Sequence, residues 1–236
     1  MEQTDRVPTG IPGLDEVLEG GIPRGASVLV TGTPGTAKTI FSLHFIANGA
    51  MKYKEKGIFI TMEQDLKDVQ EQFLQFGVDL QKLQDDGLIW IISPEIRIEE
   101  GEDFLHEITR DAFLSKLAKF EPQRFVIDSF NVILQFSTSY GGDRRGIERI
   151  FHTLKRKLNV TTIYTDERDM SGMNVKYGMQ DFVADGIIYL QLIQKQNVFN
   201  RGLTVLKMRK TDHGKGIYPF KIEKDGIHLY PDQQIF

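Results

Sequence analysis

Apolar runs of three to six residues, most of them followed by a segment of helical periodicity, recur along the chain as far as residue 165. Ser27-Val28-Leu29-Val30-Thr31 predicts a buried strand. After it, Ile40, Phe41, Leu43, Phe45, Ile46 and Ala47 leave almost no polar face, which predicts a deeply buried helix from Thr39 to about Gly49, with His44 as a packed core histidine. Gly57 to Met62, Leu88 to Ile92, Phe125 to Ile127 and Val160 to Thr165 are further apolar runs. Helical segments are expected over Asp65–Phe76, Phe104–Phe120 and Ile147–Leu158. Glu95–Asp103 and Ser137–Arg145 read as loops, and Thr9–Gly21 as a short helix between turn signals. Strands that are continuously apolar and alternate with helices indicate a mainly parallel sheet covered on both faces.

The pattern changes after Asp185. Gly186 to Ile193, Leu203 to Met208, Tyr218 to Ile222 and Ile227 to Tyr230 are β-type runs with short connections, and Asp225-Gly226 signals a hairpin. An α/β fold with a C-terminal antiparallel extension follows. The 236 residues suit a single domain, residues 1–25 leading in and 186–236 forming the β extension.

Composition narrows the chemistry. There is no cysteine, which removes disulfides, thiol catalysis and thiolate metal sites. A net charge of −4 argues against a constitutively basic nucleic-acid coat protein. No apolar run approaches the ~20 residues that span a bilayer, and the polar, acidic N-terminus is unlike a signal peptide, so a cytoplasmic location is expected. Charge is uneven: Glu55 to Asp111 is acidic and Lys195 to Lys224 basic. Two solvated faces would give this pattern, and so would head-to-tail packing of identical subunits.

Between the first strand and its helix lies Gly32-Thr33-Pro34-Gly35-Thr36-Ala37-Lys38-Thr39. A strand, a glycine-bearing loop and a helix N-terminus make an anion site, to which Lys38 adds a full cation. The order is that of a phosphate-binding loop, with Thr33 to Ile40 around the phosphate tail of ATP or ADP and the Thr39 hydroxyl on Mg²⁺. An ordinary strand-to-helix turn containing Lys-Thr is the plainer reading. The pattern asks for glycine where Ala37 stands. If that position needs φ > 0, alanine costs about 1 kcal/mol there.

Ligands of an open parallel sheet sit at the carboxyl ends of its strands. Asp128 ends an apolar run, as a metal-holding acid does, although turns also begin with Asp. Glu63 ends another run and is read either as the carboxylate that orients attacking water or as an acid near the next helix start. Thr165 is a candidate sensor of the terminal phosphate.

Gly20-Gly21-Ile22-Pro23-Arg24-Gly25, the phosphate loop, Met62-Glu63, Val126-Ile127-Asp128-Ser129, Thr165-Asp166-Glu167-Arg168, Tyr177-Gly178 and the run Val205 to Phe220 resemble the KaiC-domain ATPases, relatives of the RadA/RecA recombinases. The resemblance implies a RecA-like P-loop core assembling into rings, usually hexamers, or filaments, with ATP and Mg²⁺ between subunits. It further implies that Lys207 and Arg209 act as a finger in trans on the neighbour's nucleotide, with Thr211 and His213 touching it and Lys215 nearby. Without it, Lys207 and Arg209 read as a charged guard on an edge strand. The family commonly shows two consecutive glutamates where this chain has Glu63-Gln64. With Ala37, this implies slow hydrolysis in a regulatory or recombination-related role, or else a nucleotide-operated switch or recombinase accessory. The stretch Asp169–Tyr177, where the recombinases bind DNA, has few cations here, and Arg144, Arg145 and Arg149 are alternative contacts. The protein partner is not legible.

Overall fold

The computed structural model describes residues 4–93, 111–131, 144–170 and 178–233. The lead-in forms β1 (Arg6–Val7), α1 (Leu14–Val17) and β2 (Ile22–Pro23), with β1 and β2 paired antiparallel. The helix expected over Thr9–Gly21 shrinks to four residues, because Gly10 and Gly13 are left-handed and interrupt it. β3 (Ser27–Gly32), α2 (Lys38–Tyr53), β4 (Gly57–Thr61), α3 (Leu66–Leu74), α4 (Leu80–Asp85) and β5 (Ile89–Ile92) follow. Next come α5 (Asp111–Phe120), β6 (Arg124–Asp128), α6 (Arg144–Lys157), β7 (Thr161–Glu167), α7 (Met179–Val183), β8 (Gly186–Lys195), β9 (Val198–Met208), β10 (Tyr218–Glu223) and β11 (Gly226–Leu229).

One nine-stranded sheet runs in the order β11-β10-β9-β8-β3-β7-β6-β4-β5. Every pair from β8 to β5 is parallel, and β8, β9, β10 and β11 pair antiparallel in succession. The fold is therefore α/β with the antiparallel extension that the change of pattern after Asp185 indicates. Asp225-Gly226 turns β10 into β11, with Gly226 at φ 126°. The expected Glu95–Asp103 loop and the greater part of the Ser137–Arg145 loop lie outside the described residues, as does the start of the Phe104–Phe120 helix.

The core divides by sheet face. Phe41, Phe45, Val30, Val126, Leu203, Val205 and Met208 belong to the layer that includes α2. Leu29, Ile58, Ile127, Phe113, Phe151 and Leu154 belong to the opposite layer, which includes α5 and α6. Leu203 and Val205 are two residues apart, but Met208 follows after three. Ile187 opposes Lys207 while Ile188 opposes Val205, so β9 carries one extra residue, Leu206.

α2 is buried from Phe41 to Ala50, His44 included. The guanidinium of Arg124, at the start of β6, fixes its position. It is fully buried and donates to Glu55 (2.7 Å), to the Phe45 carbonyl (2.8 Å) and to the Pro8 carbonyl (2.8 Å). A Cβ at Gly49 would come within 2.3 Å of that guanidinium, so the helix needs glycine there.

Candidate nucleotide-binding site

The loop between β3 and α2 is shaped by close approach and by left-handed backbone. A Cβ at Gly32 would meet the Leu190 carbonyl at 2.2 Å, whereas Gly35, at φ 80°, faces open space. Ala37 caps α2 at φ 74° and ψ 30°, the left-handed conformation that glycine adopts freely. No side chain caps α2 and no acid lies in its first turn, so its N–H groups and positive dipole end face the cleft. Inside the loop, Thr36 is fully buried and donates its hydroxyl to the Thr33 carbonyl (2.8 Å). Lys38 Nζ folds back onto the carbonyls of Gly32 (3.0 Å) and Thr33 (3.1 Å). Burial lowers the Lys38 pKa, against the opposing pull of Glu167, Asp128, Glu63 and Asp166.

Asp128 ends β6 and is 8% exposed. It accepts the hydroxyl of Thr165 and is hydrogen-bonded to Thr39. Burial pushes its carboxyl above the usual range, and those two hydroxyls oppose the shift. Carboxylate and hydroxyl oxygens side by side are hard donors of the kind Mg²⁺ prefers, so Asp128 and Thr39 suit that ion. Glu63 lies just beyond β4, exposed, and accepts the hydroxyl of Ser129. The Met62 N–H donates to the Asp128 carbonyl (2.6 Å), which ties the two acid-bearing strand ends together.

These groups open onto one cleft of about 360 Å³. Pro34, Gly35, Ala37, Lys38, Thr39, Ile40, Glu63 and Asp128 all line it. Thr33 and Thr36 shape the loop from behind instead. The cleft also takes in Gln64, Ser129 and Glu167, which stand in or beside the motifs resembling the KaiC-domain ATPases, and Gln72, Arg201 and Ile222, which the sequence did not single out. Of these, Gln64 Oε1, Gln72 Oε1 and Arg201 Nε are buried without a hydrogen-bond partner among the described residues. Three orphaned polar atoms in one cleft call for a polar ligand. Thr165 does not end its strand. β7 runs on to Glu167 alongside Thr31 and Gly32 of β3, and the Thr165 hydroxyl is committed to Asp128.

Lys207, Arg209, Thr211, His213 and Lys215 are not brought to this cleft. Lys207 Nζ donates to the carbonyls of Ala184 (2.6 Å) and Asp181 (3.4 Å), and burial followed by Arg209 lowers its pKa. Arg209, 59% exposed, pairs with Asp185 at 3.1 Å. Thr211 Oγ1 accepts from Arg6 (2.9 Å), His213 Nδ1 lies 2.9 Å from the Gly214 carbonyl, and Lys215 is exposed. Asp169–Tyr177 falls mostly outside the described residues, as do the side chains of Arg144, Arg145 and Arg149.

A model of the KaiC ATPase family matches residues 7–234. The chain belongs to the KaiC family. It is 36% identical over 236 residues to a circadian clock oscillator protein KaiC from Acaryochloris marina, covering 97% of this chain and 44% of that protein. The KaiC of Parathermosynechococcus lividus is 38% identical over 230 residues, covering 94% of this chain and 42% of that protein. The chain thus spans less than half the length of these KaiC relatives. The crystal structure of a KaiC-like protein from Pyrococcus horikoshii OT3 superposes with a TM-score of 0.82 at 35% identity, covering 97% of this chain and 100% of that one. The span matched by the KaiC model takes in both the cleft and the basic run beyond β9.

Proposed function

We propose that the chain binds ATP with Mg²⁺ in this cleft and hydrolyses it slowly, within a homo-oligomer in which Lys207 and Arg209 reach the nucleotide of the next copy. One observation carries the reading. The loop, Lys38, the Asp128–Thr39 pair and Glu63 converge on a cleft lined with unpartnered polar atoms, while the second set of cations faces elsewhere. Thr39 and Asp128 would hold Mg²⁺, which when bound supplies charge neutralisation across the β- and γ-phosphate oxygens. Lys38 exchanges two loop carbonyls for phosphate oxygens. Glu63, steadied by Ser129, orients water and accepts its proton. Arg201 and Ile222 offer a planar cation and an aliphatic surface to the base. Thr211, His213 and Lys215 accompany the finger.

Slow turnover follows from two residues. Left-handed Ala37 costs about 1 kcal/mol and sets a methyl against the phosphates. Gln64 places a neutral amide where a second acid would help. Those same residues favour the second reading, a nucleotide-operated switch that holds ATP with negligible hydrolysis. A ring or filament acting in regulation or recombination, in the cytoplasm, fits either reading. Among the described residues no helix is long and apolar enough to cross a membrane. A single-turnover measurement with Mg²⁺·ATP separates the two. Phosphate released within minutes supports the enzyme, whereas ATP intact after hours supports the switch.

A further inference from the structure

Arg209, the first residue beyond β9, is held by a carboxylate that does not line the cleft. Asp185, between α7 and β8, is 8% exposed. Its Oδ2 accepts the Ser27 N–H (3.1 Å) and Lys155 Nζ (2.7 Å), and its Oδ1 accepts one guanidinium nitrogen of Arg209 (3.1 Å). The backbone repeats the link. Asp185 donates its N–H to the Ser27 carbonyl (2.7 Å), and Arg209 donates its N–H to the Asp185 carbonyl (2.9 Å). Burial works to raise the Asp185 carboxyl, but the Lys155, Ser27 and Arg209 hydrogen bonds hold it below its usual range. The group is therefore an anion with a fixed position.

Two features separate this arrangement from a pair that merely quenches charge. Arg209 spends a single nitrogen on Asp185, leaving its Nε and second amino group without a partner among the described residues. Those donors keep the fork geometry that suits a phosphate. Lys155 also offsets the charge of Asp185, so Arg209 retains a full net positive charge for another anion. An exposed arginine otherwise samples many rotamers, and anchoring it at one corner removes that freedom before a ligand arrives. Lys207 is steadied alongside by the carbonyl of Ala184, next to Asp185, and by that of Asp181 in α7.

We propose that Asp185 is the positioning residue of the finger, gripping one corner of Arg209 so that the remaining donors meet the phosphates of a neighbouring copy. The proposal rests on reading Arg209 as acting in trans. Its test uses the full chain and steady-state ATP hydrolysis. Asp185→Asn, which keeps the shape and an oxygen for the Ser27 N–H, lowers kcat on the order of tenfold to a hundredfold with little change in KM. Adding Asp185→Asn to Arg209→Ala lowers kcat no further. Co-assembled with Lys38→Ala subunits, which carry intact fingers but dead clefts, Asp185→Asn subunits recover activity. A purely structural role for Asp185 would cripple the variant's own cleft, and mixing would then restore nothing. If Asp185→Asn does not fold, Asp185→Glu takes its place, with a smaller loss and the same recovery. The Arg209→Ala and Lys38→Ala mixture is run in parallel. Recovery there without recovery for the Asp185 variants overturns the role of Asp185 alone, whereas failure of both overturns the finger.

Discussion

The cleft and the basic face beyond β9 are polar sites built to opposite rules. In the cleft, amide oxygens of Gln64 and Gln72 and a nitrogen of Arg201 are buried without partners among the described residues, and burial holds the Asp128 carboxyl above its usual range. On the basic face Lys207 rests on two carbonyls, Arg209 on Asp185, and Lys215 lies near Asp212. Unsatisfied polar groups cost folding free energy that a ligand can return. Cations anchored within the chain are stable alone, as Lys207 is on its two carbonyls. One region carries polar atoms left over from folding, whereas the other has its cations anchored within the chain.

The largest expected effect tests the cleft. Lys38→Ala should lower phosphate release by at least about a thousandfold, and undiminished hydrolysis would falsify the nucleotide assignment. Glu63→Gln comes next, with kcat down on the order of a hundredfold to a thousandfold while nucleotide binding is retained. Loss of binding in a filter or fluorescence titration would mean that Glu63 shapes the cleft rather than serving the water. On the other side of the comparison, Arg209→Ala should lower kcat about a hundredfold, less than the loss of a lone finger because Lys207 remains beside it. If nucleotide affinity in dilute, unassembled protein falls with it, the two regions are one site and the contrast is broken. The smallest effect is structural. Ala37→Gly relieves a left-handed alanine but loosens the unfolded chain, for a net gain of roughly half a kcal/mol, or a degree or two in melting temperature. A severalfold rise in turnover in the same variant would locate the slowness at that methyl.

What the sequence disclosed follows the range of its signals. The phosphate loop and Asp128 are legible because strand, loop and helix are contiguous, and the parallel sheet is legible because its strands are apolar throughout. Arg201, Gln72 and Ile222 reach the cleft from β9, α3 and β10, and nothing near them in sequence marks that destination. Thr165 misled because its apolar run stops there, while pairing with β3 carries β7 two residues further. β9 begins at Val198, five residues before the expected Leu203, because Val198, Phe199 and Asn200 are exposed and lack the one-sided alternation of a packed strand. Asp185 marks only the point where the pattern changes, and the fold alone reveals three partners converging on it.

The extra residue in β9 has a consequence for handedness of purpose. Arg201 and Lys207 are six positions apart, about 20 Å along a strand, and strict alternation would aim both side chains the same way. Leu206 breaks that parity, so Arg201 opens onto the cleft while Lys207 leans toward Ala184 on the reverse side. A single strand thereby becomes a two-sided ruler, marked for the cleft on one side and for the turn before β8 on the other. Pairing Leu206 regularly, with no residue bulged out, would leave both marks in the sequence and turn the second to face the wrong way.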